Sequence, residues 1–164
     1  MTELLSWDDR PELAASILNP ALISASIAWC VTRYTDEHEA GMPWEVSFLV
    51  PPLVLHRGTR ERLPRSGATH LAPWTIANRN TLVGFADRAR RFRPHVEEGL
   101  RVGLRSGLLE VSDSAHLRAS VPDKVRFKDQ SELREIVSRA AVLGTVLGRA
   151  GSSANIFTIL GVSP

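Results

Sequence analysis

The sequence predicts a mainly α-helical protein with a small β component: a winged helix-turn-helix-like core with helices added at both ends. Apolar residues recur at helical spacing, as in Leu82, Phe85, Ala86, Ala89 and Phe92. Asn and Pro stand where helices should start, and Gly where they should stop. Between them one short run, Leu108-Leu109-Glu110-Val111, is followed by the polar turn Ser112-Asp113-Ser114 and a return strand around Leu117–Ala119. A length of 164 residues suits one domain spanning 1–164, with the winged-helix-like segment at 70–120.

Taken in order, a short helix is expected around Pro11–Leu18. Asn19-Pro20 then opens a long helix, since Asn caps free amides and Pro fits the first helical position. That helix runs through Leu22, Ile23, Ile27, Trp29, Cys30 and Val31 until Gly41, and its apolar residues on nearly every side mark it as central to a core or an interface. Trp44–His56 alternates like a strand at Val46, Phe48 and Val50, but Pro51 and Pro52 would remove ladder hydrogen bonds. A helix over Trp44–Val50 and a second turn from Pro52 fit better. Arg57–Thr69 reads as an exposed connection.

Pro73 opens a short helix with Trp74 and Ile76, and Asn80 caps a second. Pro94 starts a third, with Val96, Leu100 and Leu104 inward and Gly107 as a left-handed cap. Three helices and a hairpin give the winged-helix order. Asp129-Gln130-Ser131-Glu132 has capping-box spacing and opens a long helix with Leu133, Ile136, Val137, Ala140, Gly144 and Leu147 on one face. Ala140, Ala141, Gly144 and Gly148 permit close backbone approach. Ile156–Leu160 reads as a terminal strand.

Charge is sorted along the chain. Residues 1–56 carry a balance of −6, residues 57–105 carry +7 with eleven arginines, and residues 106–164 carry +1, for a net +2. A polar field of that kind suits docking on charged partners. Only Lys124 and Lys128 among the 20 basic residues are lysines. Arginine dominance fits phosphate or carboxylate recognition, but a GC-rich genome is the simpler account and carries most of the weight. The densest cluster is Arg88, Arg90, Arg91 and Arg93. With Arg101 and Arg105 it forms the candidate phosphate- or partner-binding set. Against a DNA-reading role, the expected recognition helix carries Glu97 and Glu98, which a phosphate-lined groove would repel.

No catalytic constellation emerges. His38, His56, His70, His95 and His116 are scattered without metal-ligand spacing, and no cofactor is expected. Cys30 is the single cysteine, set in an apolar helix as an inert packed thiol, and it suits a reducing cytoplasm. There is no Gly-x-Ser-x-Gly elbow. Gly99-x-x-x-Gly103-x-x-x-Gly107 lacks the Lys-Ser/Thr of a phosphate loop and reads as small-residue helix packing. Asp8-Asp9 fits an N-terminal helix cap. Met1–Trp7 carries Glu3 in place of a basic region, so no signal peptide is expected, and Ala21–Val31 is too short to span a membrane.

Several stretches together carry a resemblance. These are Asn19-Pro20-Ala21, Phe48–His56 running into Thr59-Arg60-Glu61-Arg62-Leu63-Pro64, Phe85-Ala86-Asp87-Arg88-Ala89, Gly107-Leu108-Leu109-Glu110, and the tail from Gly151 to Pro164. The chain resembles the middle component of the three-component ABC ATPase systems of prokaryotes, related in logic to Lamassu anti-phage defences. The resemblance implies a non-catalytic adaptor subunit bound to an ABC or SMC-like ATPase. It also implies a third, effector-associated subunit and DNA met through the complex. A free winged-helix DNA-binding protein or transcriptional regulator is the alternative, and an enzyme of unrecognised type a third.

Overall fold

The computed structural model describes residues 18–122 and 132–163, with Ser6, Asp9 and Pro11 ahead of them. The helix expected around Pro11–Leu18 and the capping box from Asp129 fall on residues 12–17 and 129–131, outside this set, as does Asp8.

Helix α1 (Pro20–Thr35) is the central element, and Ile23, Ile27, Ala28, Cys30, Val31 and Tyr34 are buried along it. Its start is as expected: the Asn19 side chain accepts from the Ala21 amide at 2.8 Å, and Pro20 needs no N–H partner. After β1 (Met42–Pro43), a 3-10 segment (Trp44–Leu49) leads into α2 (Val50–Val54). Pro51 and Pro52 sit in the first turn of α2, where their missing donors leave no helical bond unmade.

Arg57–Thr69 departs from expectation. It begins with the one-turn helix α3 (Arg57–Arg60), and Thr59, Arg60 and Leu63 are buried. Helix α4 (Leu71–Ala77) and a 3-10 turn (Arg79–Leu82) follow. Next comes α5, a single helix from Phe85 to Arg105. The expected second and third helices are therefore one rod, and the turn that a helix-turn-helix needs at Pro94 is not formed. Proline removes one hydrogen bond there, but Phe85 and Ala89 before it and Val96, Gly99 and Gly103 after it share one buried stripe. Packing on that stripe outweighs the local loss.

Hairpin β2 (Leu109–Val111) and β3 (His116–Ala119) form as expected, with β1 added on the far side of β3. Both pairings are antiparallel: Met42 faces Leu117, and Leu109 faces Ala119. Met42, Leu109 and Leu117 are buried. Gly107 is left-handed at φ 72°, as a C-cap should be.

Helix α6 (Glu132–Gly148) lies against α1, with Ile136, Val137, Ala140, Gly144 and Leu147 buried. Leu133, expected on that face, is 48% exposed. The terminal strand is a helix, α7 (Ser153–Leu160): its buried residues Ile156, Phe157 and Leu160 follow helical spacing, and Ser152 caps it by accepting from the Asn155 amide.

Small residues set the helix spacing, as the glycine pattern implied. A side chain at Gly144 would meet the Cys30 carbonyl of α1, its carbon at 3.0 Å and its oxygen closer. At Gly103 it would meet Ser24 Oγ at 2.5 Å and Leu109 Cδ1 at 2.6 Å. Helix α1 is thus clamped between α5 and α6 at backbone distance.

Candidate functional site

Two groups of arginines stand out. One is structural: Arg60, Arg88, Arg139 and Arg149 all donate to main-chain carbonyls in the segment from Pro52 to Gly67. Arg60 Nη1 reaches Val54 O at 2.9 Å, and Arg88 Nε reaches Pro52 O at 3.2 Å. Arg139 reaches Pro64 O at 3.4 Å, and Arg149 reaches Gly67 O at 3.0 Å. A guanidinium offers five donors in a rigid fork, so one side chain can serve several loop carbonyls without a regular ladder. Two of the eleven arginines of the basic segment 57–105, Arg60 and Arg88, thus have a structural role. Arg60 is buried at 1% exposure and also meets the carboxylates of Glu132 and Glu135, joining α3 to the first turn of α6.

The other population lies on the solvent face of α5. Arg90 pairs with Asp87 at 2.8 Å, while Arg93 and Arg101 share Glu97 at 3.0 and 3.9 Å. Arg105 is exposed in the last turn, where positive charge suits the helix dipole. Of the six candidate arginines, then, Arg90, Arg93 and Arg101 pair with carboxylates on their own helix, the last two sharing one.

Arg88 and Arg91 differ. Arg88 Nη2 donates to Thr59 Oγ1 at 3.0 Å, and its guanidinium carbon lies 5.5 Å from the Phe85 ring centroid. Arg91, one turn on, donates Nε to Asp87 O at 3.3 Å. Both therefore bond only neutral oxygens. Among the described residues no carboxylate is within ion-pair reach of either. Burial, then the Arg91 charge, holds the Arg88 guanidinium below its ordinary pKa.

His56 completes the cluster. Its Nδ1 accepts from the Thr59 amide at 3.2 Å and from the Thr59 hydroxyl at 2.8 Å, capping α3. The neutral ring must then carry its proton on Nε2. Partial burial, followed by the charges of Arg88 and Arg60, lowers its pKa from the ordinary 6.5. Neither His56 nor Thr59 was a candidate site residue in the sequence, although both fall in the stretches that carry the resemblance. The only signal was a capping residue three positions before a threonine, in a helix too short to show periodicity.

A second outward feature is apolar. Leu22, Ala25 and Trp29 of α1, with Leu108 and with Leu133 and Val137 of α6, line an open groove of about 360 Å³. Elsewhere the two helices that looked apolar all round bury each other. Cys30 is fully buried and its thiol pKa is pushed up by desolvation, as expected of an inert packed cysteine. Among the described residues, no group of three or more His, Cys, Asp or Glu is placed to hold a metal ion, and no helix is long and apolar enough to cross a membrane.

The fold defines a mainly helical protein with a three-stranded antiparallel sheet, whose most organised polar groups tie its own loops together. Its sequence matches a known family over residues 7–164. The chain belongs to the ABC-three component (ABC-3C) system Middle Component 3 family. No curated protein and no solved structure matches it. Membership makes it a middle component of an ABC-3C system, associated with the other components of that system.

Proposed function

We propose that the chain is a non-catalytic adaptor subunit that binds an ABC or SMC-like ATPase within a prokaryotic anti-phage defence complex of the Lamassu type. The family match over residues 7–164 carries the reading, because a middle component belongs to a multi-subunit system. The structure offers two outward features suited to docking: the apolar groove beside α1 and α6, and the unneutralised guanidinium pair on α5. ATP hydrolysis and any cutting of nucleic acid then fall to other subunits, including a third, effector-associated one. DNA is met through the assembly. A free winged-helix DNA reader is less well supported, since α5 runs unbroken through Pro94 and Glu97 sits between Arg93 and Arg101. Co-expression with the ABC-type ATPase encoded alongside, followed by size-exclusion chromatography, tests the adaptor reading. A shared peak supports it; separate elution, together with nanomolar binding of the isolated chain to one DNA sequence, replaces it with the regulator.

A further inference from the structure

A guanidinium in a protein is normally matched by a carboxylate or exposed freely to water. Arg88 is neither. Its Nε and Nη2 are held by Pro52 O and Thr59 Oγ1, and the buried Phe85 ring lies nearby. These contacts fix its plane and leave Nη1 uncommitted among the described residues. One helical turn on, Arg91 uses only Nε, for Asp87 O, and so keeps its two terminal amino groups for another acceptor. On the other side, the Thr59 hydroxyl links Arg88 to the exposed His56, whose Nε2–H is free to donate because Nδ1 is the acceptor of the α3 cap. Two permanently cationic groups thus adjoin and repel each other, with His56 beyond Thr59, and among the described residues no anion balances them. The neighbouring arginines on α5 that do have carboxylates show how readily this helix could have supplied one.

We propose that Arg88 and Arg91 form a docking point for a single carboxylate carried by a partner protein, the two guanidiniums donating to its oxygens. Charge-assisted bonds to a guanidinium are about twice as strong as neutral ones. A fork already held by Pro52 and Thr59 also loses little freedom on binding. The flanking charges select a carboxylate over a nucleic-acid backbone. Arg90 and Arg93 on either side of Arg91 are already paired with Asp87 and Glu97, so the unpaired positive charge is local and offers no continuous track for closely spaced phosphates. That the carboxylate belongs to a partner protein rests on the adaptor reading; the anion site itself does not.

The test uses the full chain, a hexaglutamate peptide as probe and a short DNA duplex as the other arm, with the His56 ring followed by proton NMR. Peptide binding should move the His56 titration to higher pH, because a carboxylate held at Arg88 offsets the charge that disfavours imidazolium. Arg91→Ala should abolish that movement and weaken peptide binding about tenfold, the scale of one charge-assisted contact. Arg90→Ala, removing an arginine already paired with Asp87, should bind within about twofold of wild type. Arg91 is exposed and bonds only its own helix, so the variant should fold normally. The proposal is overturned if the peptide leaves His56 unmoved, if the two variants lose binding equally, or if duplex DNA moves His56 at lower concentration than the peptide. Because this assay needs no other subunit, it separates from the adaptor reading. Should the wild-type chain fail to co-elute with the ATPase while the peptide still moves His56, the adaptor reading falls and the carboxylate site stands.

Discussion

Replacing Gly144 by alanine should destabilise the protein although it adds a better helix former. On propensity alone, glycine to alanine in a helix interior gains about 1 kcal/mol. In this fold the new methyl would lie 3.0 Å from the Cys30 carbonyl carbon, closer to its oxygen, and 3.1 Å from Arg33 Cβ. The obstacle is the backbone of α1, which cannot rotate aside as a side-chain tip can. Nor can α1 simply retreat, because α5 clamps its other side through Gly99 and Gly103, where added side chains would meet Ile23 and Ser24. The helices must part by about 1 Å, loosening a close-packed contact along their length. Overpacking of a core costs about 1–3 kcal/mol and sometimes more. With rigid backbone at the point of contact and α5 packed closely behind α1 the upper end applies, leaving a net loss of about 2 kcal/mol after the propensity gain. For a chain of this size that lowers the thermal midpoint by about 4–8 °C. Circular dichroism melts of Gly144→Ala should show the drop, whereas Ser138→Ala, on the exposed face of α6, should be neutral or slightly stabilising. A Gly144→Ala midpoint at or above wild type would refute the close-approach reasoning.

Arg60→Met should cost about 2 kcal/mol in urea unfolding, because it strips a donor from the carbonyls of Val54 and Leu55; a loss under about 0.5 kcal/mol would show that water replaces it. His56 carries a pH signature. Its folded pKa lies below the unfolded 6.5, so the native state prefers the neutral ring, and the stabilisation is whole above pH 6.5 and lost as pH falls through the folded value. Unfolding midpoints should therefore fall on acidification below pH 6.5, and fall less in His56→Asn, which can cap α3 without titrating; parallel profiles would assign the acid sensitivity to other groups. Asn19→Ala, removing the cap of α1, should cost about 1 kcal/mol, read as a shift in the urea midpoint; no shift would mean that the cap bond contributes nothing measurable.

What was legible in the sequence was local and periodic. Asn19-Pro20 marked the start of α1, Gly107 closed α5, and the hairpin followed from its polar turn. The glycines of α5 and α6 announced helix packing by their spacing. Two misreadings share one cause, local chemistry overruled by burial. Pro94 reads as a helix start, yet the buried stripe on either side carries the helix through it. Ile156–Leu160 has the β-branched and aromatic composition of a strand, yet its buried positions fall at helical intervals against the core. The candidate site was half visible. An arginine cluster can be counted, but which guanidinium is already paired depends on where carboxylates fall in space. Arg88 turned inward to a proline carbonyl and a threonine, while Arg90 and Arg93 found partners on their own helix. Arg60 lay in a segment that reads as an exposed connection, and His56 at the end of one that reads as a helix and a turn, so neither reading assigned them a role.

The most direct measurement is the composition of the complex formed when this chain is co-expressed with its system's ATPase and third component. An adaptor should elute with the ATPase in fixed stoichiometry, and omitting it should release the third component from the ATPase. A complex that assembles and holds the third component equally well without this chain would contradict the adaptor function.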